Sequence, residues 1–244
     1  MSWKKPTTIT AWSFSRYYTY KQCPLKAKLK FIDKIPEPGN AAMDRGNAIH
    51  KMAEDYINGG ISRIPKELSA FTTLFKQLRV RHSKKLDTIS VEETWAFTKN
   101  WQETTWNDWA NCWLRVKTDC AHLENPDSNT IHVYDWKSGK FREDMNEDYV
   151  EQLELSALAA LKRFDYVENV NVKLKYLDAD VTFPLEDSPI VFTRADEAKL
   201  LKTWTARIKP MLNDRMFAPR PNDKCKWCHF RKSNSANGGG QCKF

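Results

Sequence analysis

Asp135, Trp136 and Lys137 close an apolar run, and in an extended segment the first and third of these side chains leave the same face. A carboxylate next to Ile131 and Val133 is costly to bury unless cations meet it, and Lys137 together with a divalent metal would do so. Asp119 stands sixteen residues earlier, and a hairpin turning through the Pro- and Asn-rich stretch 124–129 would bring it to the same ion. Two carboxylates suit Mg²⁺ or Mn²⁺, which prefer oxygen ligands and keep water for chemistry. Lys137 can then orient or help deprotonate the attacking water and offset charge developing on a phosphate. A bare Asp-x-Lys tripeptide is more often a plain ion pair, so its surroundings decide what it means.

A second constellation is made of thiols. Cys225-Lys226-Trp227-Cys228 is a CxxC pair, and Cys242 follows after thirteen residues that include Gly238-Gly239-Gly240. Three thiolates from one loop want a fourth ligand, and four can bind a [4Fe-4S] cluster or Zn²⁺, which spacing does not separate. Cys112 and Cys120 fall in the strand that carries Asp119 and read as packed thiols. Six cysteines are few for a secreted scaffold of 244 residues, so they are read as thiols.

The elements that must position these groups follow from periodicity. Ser13 can cap a helix over 15–31, bent or broken near Pro24. A helix starting near Met43 puts Ile49, Met52, Ala53, Tyr56 and Ile57 on one face, and a third amphipathic segment spans 66–86. In the middle, 90–98, 109–121 and 129–137 read as strands. A helix over 146–164, a strand over 170–176 and a last helix from a Thr193 cap to Pro210 complete the pattern. The fold class is α/β, a mixed central sheet flanked by helices.

The chain is 41% apolar and 29% charged, which excludes general disorder. No stretch approaches the roughly 18 apolar residues of a membrane span, and Met1 to Pro6 has no apolar run behind Lys4 and Lys5. A soluble, unexported protein of the cytoplasm is expected, whether of a bacterium or of a virus's host. Net charge is +7 over residues 1–34, −8 over 35–198 and +9 over 199–244. Such a split suits a polyanion held between basic elements, although basic ends are as often plain solvated faces. Among ten Trp, Trp101 and Trp106 lie in a polar loop and are the better candidates for stacking on unpaired bases. Arg79, Arg81, Lys84 and Lys85 are candidates for phosphate contact, with a solvated helix face as the plainer reading.

Taken in order along the chain, several pieces resemble the PD-(D/E)XK nuclease superfamily, in its RecB-like branch with CRISPR-associated exonucleases and AddB-type nuclease domains. They are Ser13-Phe14-Ser15-Arg16 with Cys23-Pro24, then Arg45-Gly46-Asn47-Ala48-Ile49-His50, Asp119, Asp135-Trp136-Lys137-Ser138-Gly139-Lys140, Gln152 and the terminal cysteines. The resemblance implies a restriction-endonuclease-like core. It implies that His50, Asp119, Asp135 and the Trp136 carbonyl ligate the metal, that Lys137 is catalytic, and that Gln152 positions Lys137 or the nucleic-acid strand. Ser156 stands where the family has Tyr four residues after Gln152, and Tyr149 is one turn before it. Cys23 with Cys225, Cys228 and Cys242 matches the one-plus-three cysteine pattern of the iron-sulfur members, which favours [4Fe-4S] over Zn²⁺ and a structural role. Glu54 is a candidate partner for His50, a solvated face being the plainer reading.

The sequence thus leads to one nuclease domain over 1–244, with a helical part (1–88), a catalytic core (89–192) and a C-terminal helix and cysteine segment (193–244). The expected activity is Mg- or Mn-dependent hydrolysis of DNA phosphodiesters, exonuclease rather than endonuclease, on single strands or ends. The alternative is a catalytically weak DNA-binding or assembly module of a recombination or repair complex. The chain lacks a phosphate-binding G-x-x-x-x-G-K-[ST] loop, so any helicase or recombination partner is another chain. A bacteriophage source is compatible with the size.

Overall fold

The computed structural model describes residues 7–84 and 89–244, with side chains for all of these except Asn146 and Asn237. Lys85 and the expected helix end at Leu86 lie outside the described residues. Four helices come first: α1 (Phe14–Gln22), α2 (Pro24–Ala27), α3 (Ala41–Ile57) and α4 (Thr72–Ser83). Three strands then form an antiparallel run, β1 (Ile89–Phe97), β3 (Leu114–Leu123) and β4 (Thr130–Lys137), with the short β2 (Glu103–Thr104) outside β1. Helix α5 (Asn146–Arg163) crosses over to β5 (Asn169–Tyr176), which lies parallel to β4. Strands β6 (Val181–Phe183) and β7 (Val191–Thr193) both pair with β5, and α6 (Glu197–Asn213) ends the regular structure. The result is a mixed seven-stranded α/β sheet flanked by helices, as the periodicity predicts.

Both faces of the sheet are covered. Ile131 and Val133 of β4 join a core with α5 and α6, while Tyr134 and Trp136 join a second core with Ile49 and Ala53 of α3 and Phe75 of α4. Phe75 sits 4.9 Å from the Trp136 ring and both are fully buried, so α4 holds the middle of the Asp-Trp-Lys segment from below. Burial of an aromatic ring of this size contributes about 2 to 3 kcal/mol.

Two departures in the sheet open a cleft. Strand β3 pairs with β4 only from Cys120 opposite Tyr134 to Leu123 opposite Ile131, so the first half of β3 and the last residues of β4 splay apart. Regular alternation also fails in β1. Ile89 and Val91 pack against the α3/α4 core, yet Trp95 and Phe97, of the same parity, belong to the other core. The break falls at Glu92, whose φ of 53° is left-handed, and the pairing with β3 steps from Val91–Cys120 to Glu93–Thr118 around it. Strand β3 shows the same reversal, with Leu114 and Val116 in one core and Cys120 in the other.

Some expectations need correction. The strand expected over 109–121 is Leu114–Leu123, because Asp108 organises the preceding loop by accepting hydrogen bonds from Thr104 Oγ1 (2.8 Å) and Asn111 N (3.1 Å). The break expected near Pro24 is found at Cys23, since Pro24 drives the residue before it into an extended conformation. Helix α6 runs past Pro210 to Asn213. Trp101 is buried against Trp12 and Trp113 and offers no face to a base. Arg79 and Arg81 spend their guanidiniums on backbone carbonyls of Ile61 (2.5 Å) and Glu124 (2.8 Å).

Candidate active site

The cleft opened by the splayed strands has a volume of about 850 Å³ and is lined by His50, Glu92, Asp119, Asp135 and Lys117, among others. His50 reaches it from α3, whose first turn is capped by Asn40 accepting from Met43 N at 2.9 Å. One helical turn earlier is Gly46, where a Cβ would come within 3.2 Å of Ser138 Oγ, so the missing side chain lets α3 lie against the turn after Lys137.

His50 Nδ1 is 3.1 Å from Asp119 Oδ1 and 3.6 Å from Glu92 Oε1. One ligand atom from each of these three residues lies within 4.8 Å of the others. The second oxygen of Asp119 accepts from the Trp136 backbone N–H at 2.6 Å, where β3 no longer pairs with β4. Lys117 Nζ pairs with Glu92 Oε2 at 2.5 Å. That leaves Glu92 Oε1 buried, with the His50 ring at 3.6 Å as its facing group among the described residues.

Asp135 and Lys137 extend the cluster. Lys137 Nζ is 2.8 Å from Asp135 Oδ1, and Gln152 of α5 donates its side-chain amide to Asp135 Oδ2. Gln152 therefore holds Asp135, not Lys137 as the resemblance allowed. Tyr149 is buried among Phe141, Tyr176 and Phe183, and Ser156 lines the groove beside Gln152. Glu54 is tied to Lys51 at 3.1 Å, and Glu92, which no sequence signal singled out, is the carboxylate beside His50.

The electrostatics of the cluster are those of a cation site. Burial works against an imidazolium at His50, but its ring N–H facing the acceptor oxygens of Asp119 and Glu92 overcomes this and raises His50 to about 10. Burial and the nearby charge of Asp135 also push the Asp119 carboxyl above its ordinary range. Each carboxylate of the cluster meets one cation, Asp119 with His50, Glu92 with Lys117 and Asp135 with Lys137, and against the cost of burial His50 and Lys117 hold Glu92 below its ordinary range. The converging oxygens of Glu92 and Asp119 with the His50 ring suit a hard divalent ion.

At the other end of the molecule, Cys23, Cys225, Cys228 and Cys242 line one small cavity of about 40 Å³, and none forms a disulfide. The break before Pro24 brings Cys23 there, and Asn222 Nδ2 bonds the Gln22 carbonyl at 3.0 Å. Backbone N–H groups point at two sulfurs, Asn222 N at Cys225 Sγ (3.3 Å) and Arg220 N at Cys23 Sγ (3.5 Å), as thiolate ligands require. Burial, followed by weaker opposing contacts, raises the Cys228 thiol. Among the described residues, no three of these sulfurs all lie within 4.8 Å of one another. Cys112 and Cys120 are buried thiols away from this cavity.

The seven-stranded mixed sheet and this cleft define a nuclease core. A sequence model of the PD-(D/E)XK nuclease superfamily matches residues 11–233, and the chain belongs to that superfamily. Among solved structures, it is similar to SSO0001, with 14% identity over 91% of this chain and 84% of the other, at a TM-score of 0.37. It is also similar to a protein of Eubacterium rectale named "Putative exonuclease", with 10% identity over 93% of this chain and 88% of the other, at a TM-score of 0.45. No curated protein matches the chain significantly. Among the described residues, no helix is long and apolar enough to cross a membrane.

Proposed function

We propose that this nuclease is a Mg²⁺- or Mn²⁺-dependent deoxyribonuclease, an exonuclease working on single strands or DNA ends, built as one unit over 1–244. The observation that carries the reading is the convergence of His50, Glu92 and Asp119, whose ligand atoms lie within 4.8 Å of one another beside the Asp135-Lys137 segment. His50, Glu92, Asp119 and Asp135, with the Trp136 carbonyl, would hold the ion. When bound, such an ion supplies Lewis-acid polarisation of the phosphate and acidification of water.

The chain's own groups do the rest. Gln152 fixes one oxygen of Asp135 and Lys137 takes the other, so the carboxylate cannot rotate away. The Trp136 N–H fixes Asp119 in the same way. Lys137, anchored by Asp135, offers its remaining N–H bonds to a phosphate oxygen as charge builds there, a use of preorganised charge that commonly contributes several kcal/mol. Lys117, on the opposite wall, adds positive charge where the strand would pass.

The test is digestion of end-labelled single- and double-stranded DNA with Mg²⁺ or Mn²⁺, beside Asp135→Ala and Lys137→Ala. Labelled mononucleotides from the unmodified chain and none from the variants support the reading. Equal products from all three discard the site, and binding without products from any of them favours the assembly module.

For the cysteine cavity we infer a [4Fe-4S] cluster with a structural role, Zn²⁺ being the other occupant. One tetrahedral zinc needs sulfurs about 3.8 Å apart, given Zn–S bonds of about 2.3 Å. A cluster binds each thiolate to a different iron and so takes a wider set. Iron and sulfide in equal amounts with absorbance near roughly 400 nm support the cluster, and stoichiometric zinc reverses the assignment.

A further inference from the structure

The metal cleft continues past Lys117 and Ser138 into a second groove of about 540 Å³. Phe14 and Tyr18 of α1 line it, with Arg115, Lys137 and Lys140. At the Arg115 end, two indoles stand on the surface. The Arg115 guanidinium lies 4.4 Å from the Trp106 ring centre and 5.6 Å from that of Trp109. Trp109 is 79% exposed and Trp106 is 46% exposed.

Exposed indoles of this size are costly to leave in water, and a loop that presents them would ordinarily fold them in. Here the loop is pinned. Asp108 holds it through Thr104 and Asn111, and Cys112 N bonds the Asp108 carbonyl at 2.8 Å, so the indoles are presented without freedom to collapse. Arg115 is also short of partners. Its Nε is buried with none, and its charge acts with burial to depress Arg16, whose Nη1 bonds only the Ala11 carbonyl. The Arg115 guanidinium, with Lys137 and Lys140 along the same groove, favours an anion.

We propose that Trp109, Arg115 and Trp106 form a station for one unpaired nucleotide of single-stranded DNA, several nucleotides from the bond that is cut. The base stacks on the open face of Trp109, Arg115 takes a phosphate, and the strand follows the groove to Lys137. A paired duplex offers no base face to an indole, which commits the station to unpaired strand. The proposal rests on the nuclease reading for its direction along the groove.

The test is binding of a fluorescein-labelled oligothymidylate, in EDTA so that nothing is cut, to the unmodified chain and to Trp109→Ala, Trp109→Phe and Arg115→Lys. Stacking on an aromatic commonly contributes 1 to 3 kcal/mol per base, so Trp109→Ala should weaken binding by about tenfold and Trp109→Phe should recover most of it. An abasic tract of the same length should bind Trp109→Ala and the unmodified chain alike. Unchanged affinity in Trp109→Ala and Arg115→Lys, or an equal loss on the abasic tract, overturns the station. Cleavage by the unmodified chain with no Trp109 dependence of binding removes the station and leaves the nuclease reading. Trp109-dependent binding without cleavage does the reverse. A concentration-dependent dimer abolished by Trp109→Ala, with DNA binding unchanged, assigns the indoles to a protein contact and overturns the proposal.

Discussion

Arg45 and Asp178, 133 residues apart, form a two-pronged ion pair at 2.7 and 2.6 Å, and the same carboxylate accepts from Gly139 N at 2.7 Å. One acid thus clamps α3 to the turn that follows Lys137. The turn takes a φ of 102° at Gly139, and the Asp178 carboxylate holds its backbone N–H. We expect Asp178→Asn to lower kcat severalfold while the melting temperature hardly moves, since the pair is solvent-exposed and such pairs contribute little to stability. A drop in melting temperature that accounts for the lost activity would contradict a positioning role.

Glu92 is the second test. A non-glycine residue held at positive φ stores roughly 1 to 3 kcal/mol of strain, and such positions persist where function requires them. Replacing Glu92 by Gly relieves that strain while removing its ion pairs with Lys117 and His50. The variant should still unfold cooperatively in urea, yet should bind Mn²⁺ at least about tenfold more weakly by titration calorimetry. Unchanged Mn²⁺ affinity would remove Glu92 from the ion site.

The placement of Asp135 and Lys137 side by side was readable because they sit on regular elements: a strand of alternating side chains, then a helix carrying Gln152 to the same place. Glu92 was not. In the sequence it is one of two adjacent glutamates in a strand, and regular alternation would send Glu92 and Glu93 to opposite faces. The left-handed turn of the backbone at Glu92 decides which of them meets His50, while Glu93 goes to Arg163 and the Trp95 indole. That turn is fixed by packing against β3, which no local pattern encodes. Trp101 misled for a related reason. Its neighbours in the chain are polar, but its partners, Trp12 and Trp113, come from distant segments. The four cysteines, by contrast, announced themselves by type and spacing, and the break at Pro24 is local.

The Gly-rich run before Cys242 is also testable. A Cβ at Gly239 would lie 2.1 Å from the His229 carbonyl oxygen, an impossible contact with backbone. Gly239→Ala must therefore displace the segment that carries Cys242 to its place beside Cys228. The expected result is loss of bound iron or zinc by elemental analysis and faster proteolysis beyond Pro219. Gly39→Ala, where an added Cβ meets only an ordinary contact at 3.8 Å, serves as the control. Full metal content in Gly239→Ala would mean that Cys242 is not a ligand.

Acid sensitivity can be assigned to one stack. The His122 ring lies 5.0 Å from that of His132 and nearly parallel to it. Burial pushes His122 down to about 4; its bond to the Leu123 carbonyl opposes this, and the charges of His132 and Arg81 reinforce it. Burial, then Lys173 and Arg81, lowers His132 as well. In the unfolded chain each imidazole titrates near 6.5. Between about pH 6.5 and 4 the unfolded state therefore binds more protons, so stability present at neutral pH is lost as pH falls through this window. For His122 alone the loss reaches about 3 kcal/mol at the bottom of the window. Raised carboxyls such as Asp119 act in the opposite direction, so the measurement must be a difference. Urea melts at pH 7 and pH 5 should show a smaller fall in midpoint for His122→Gln than for the unmodified chain. Equal falls would place the acid-sensitive group elsewhere.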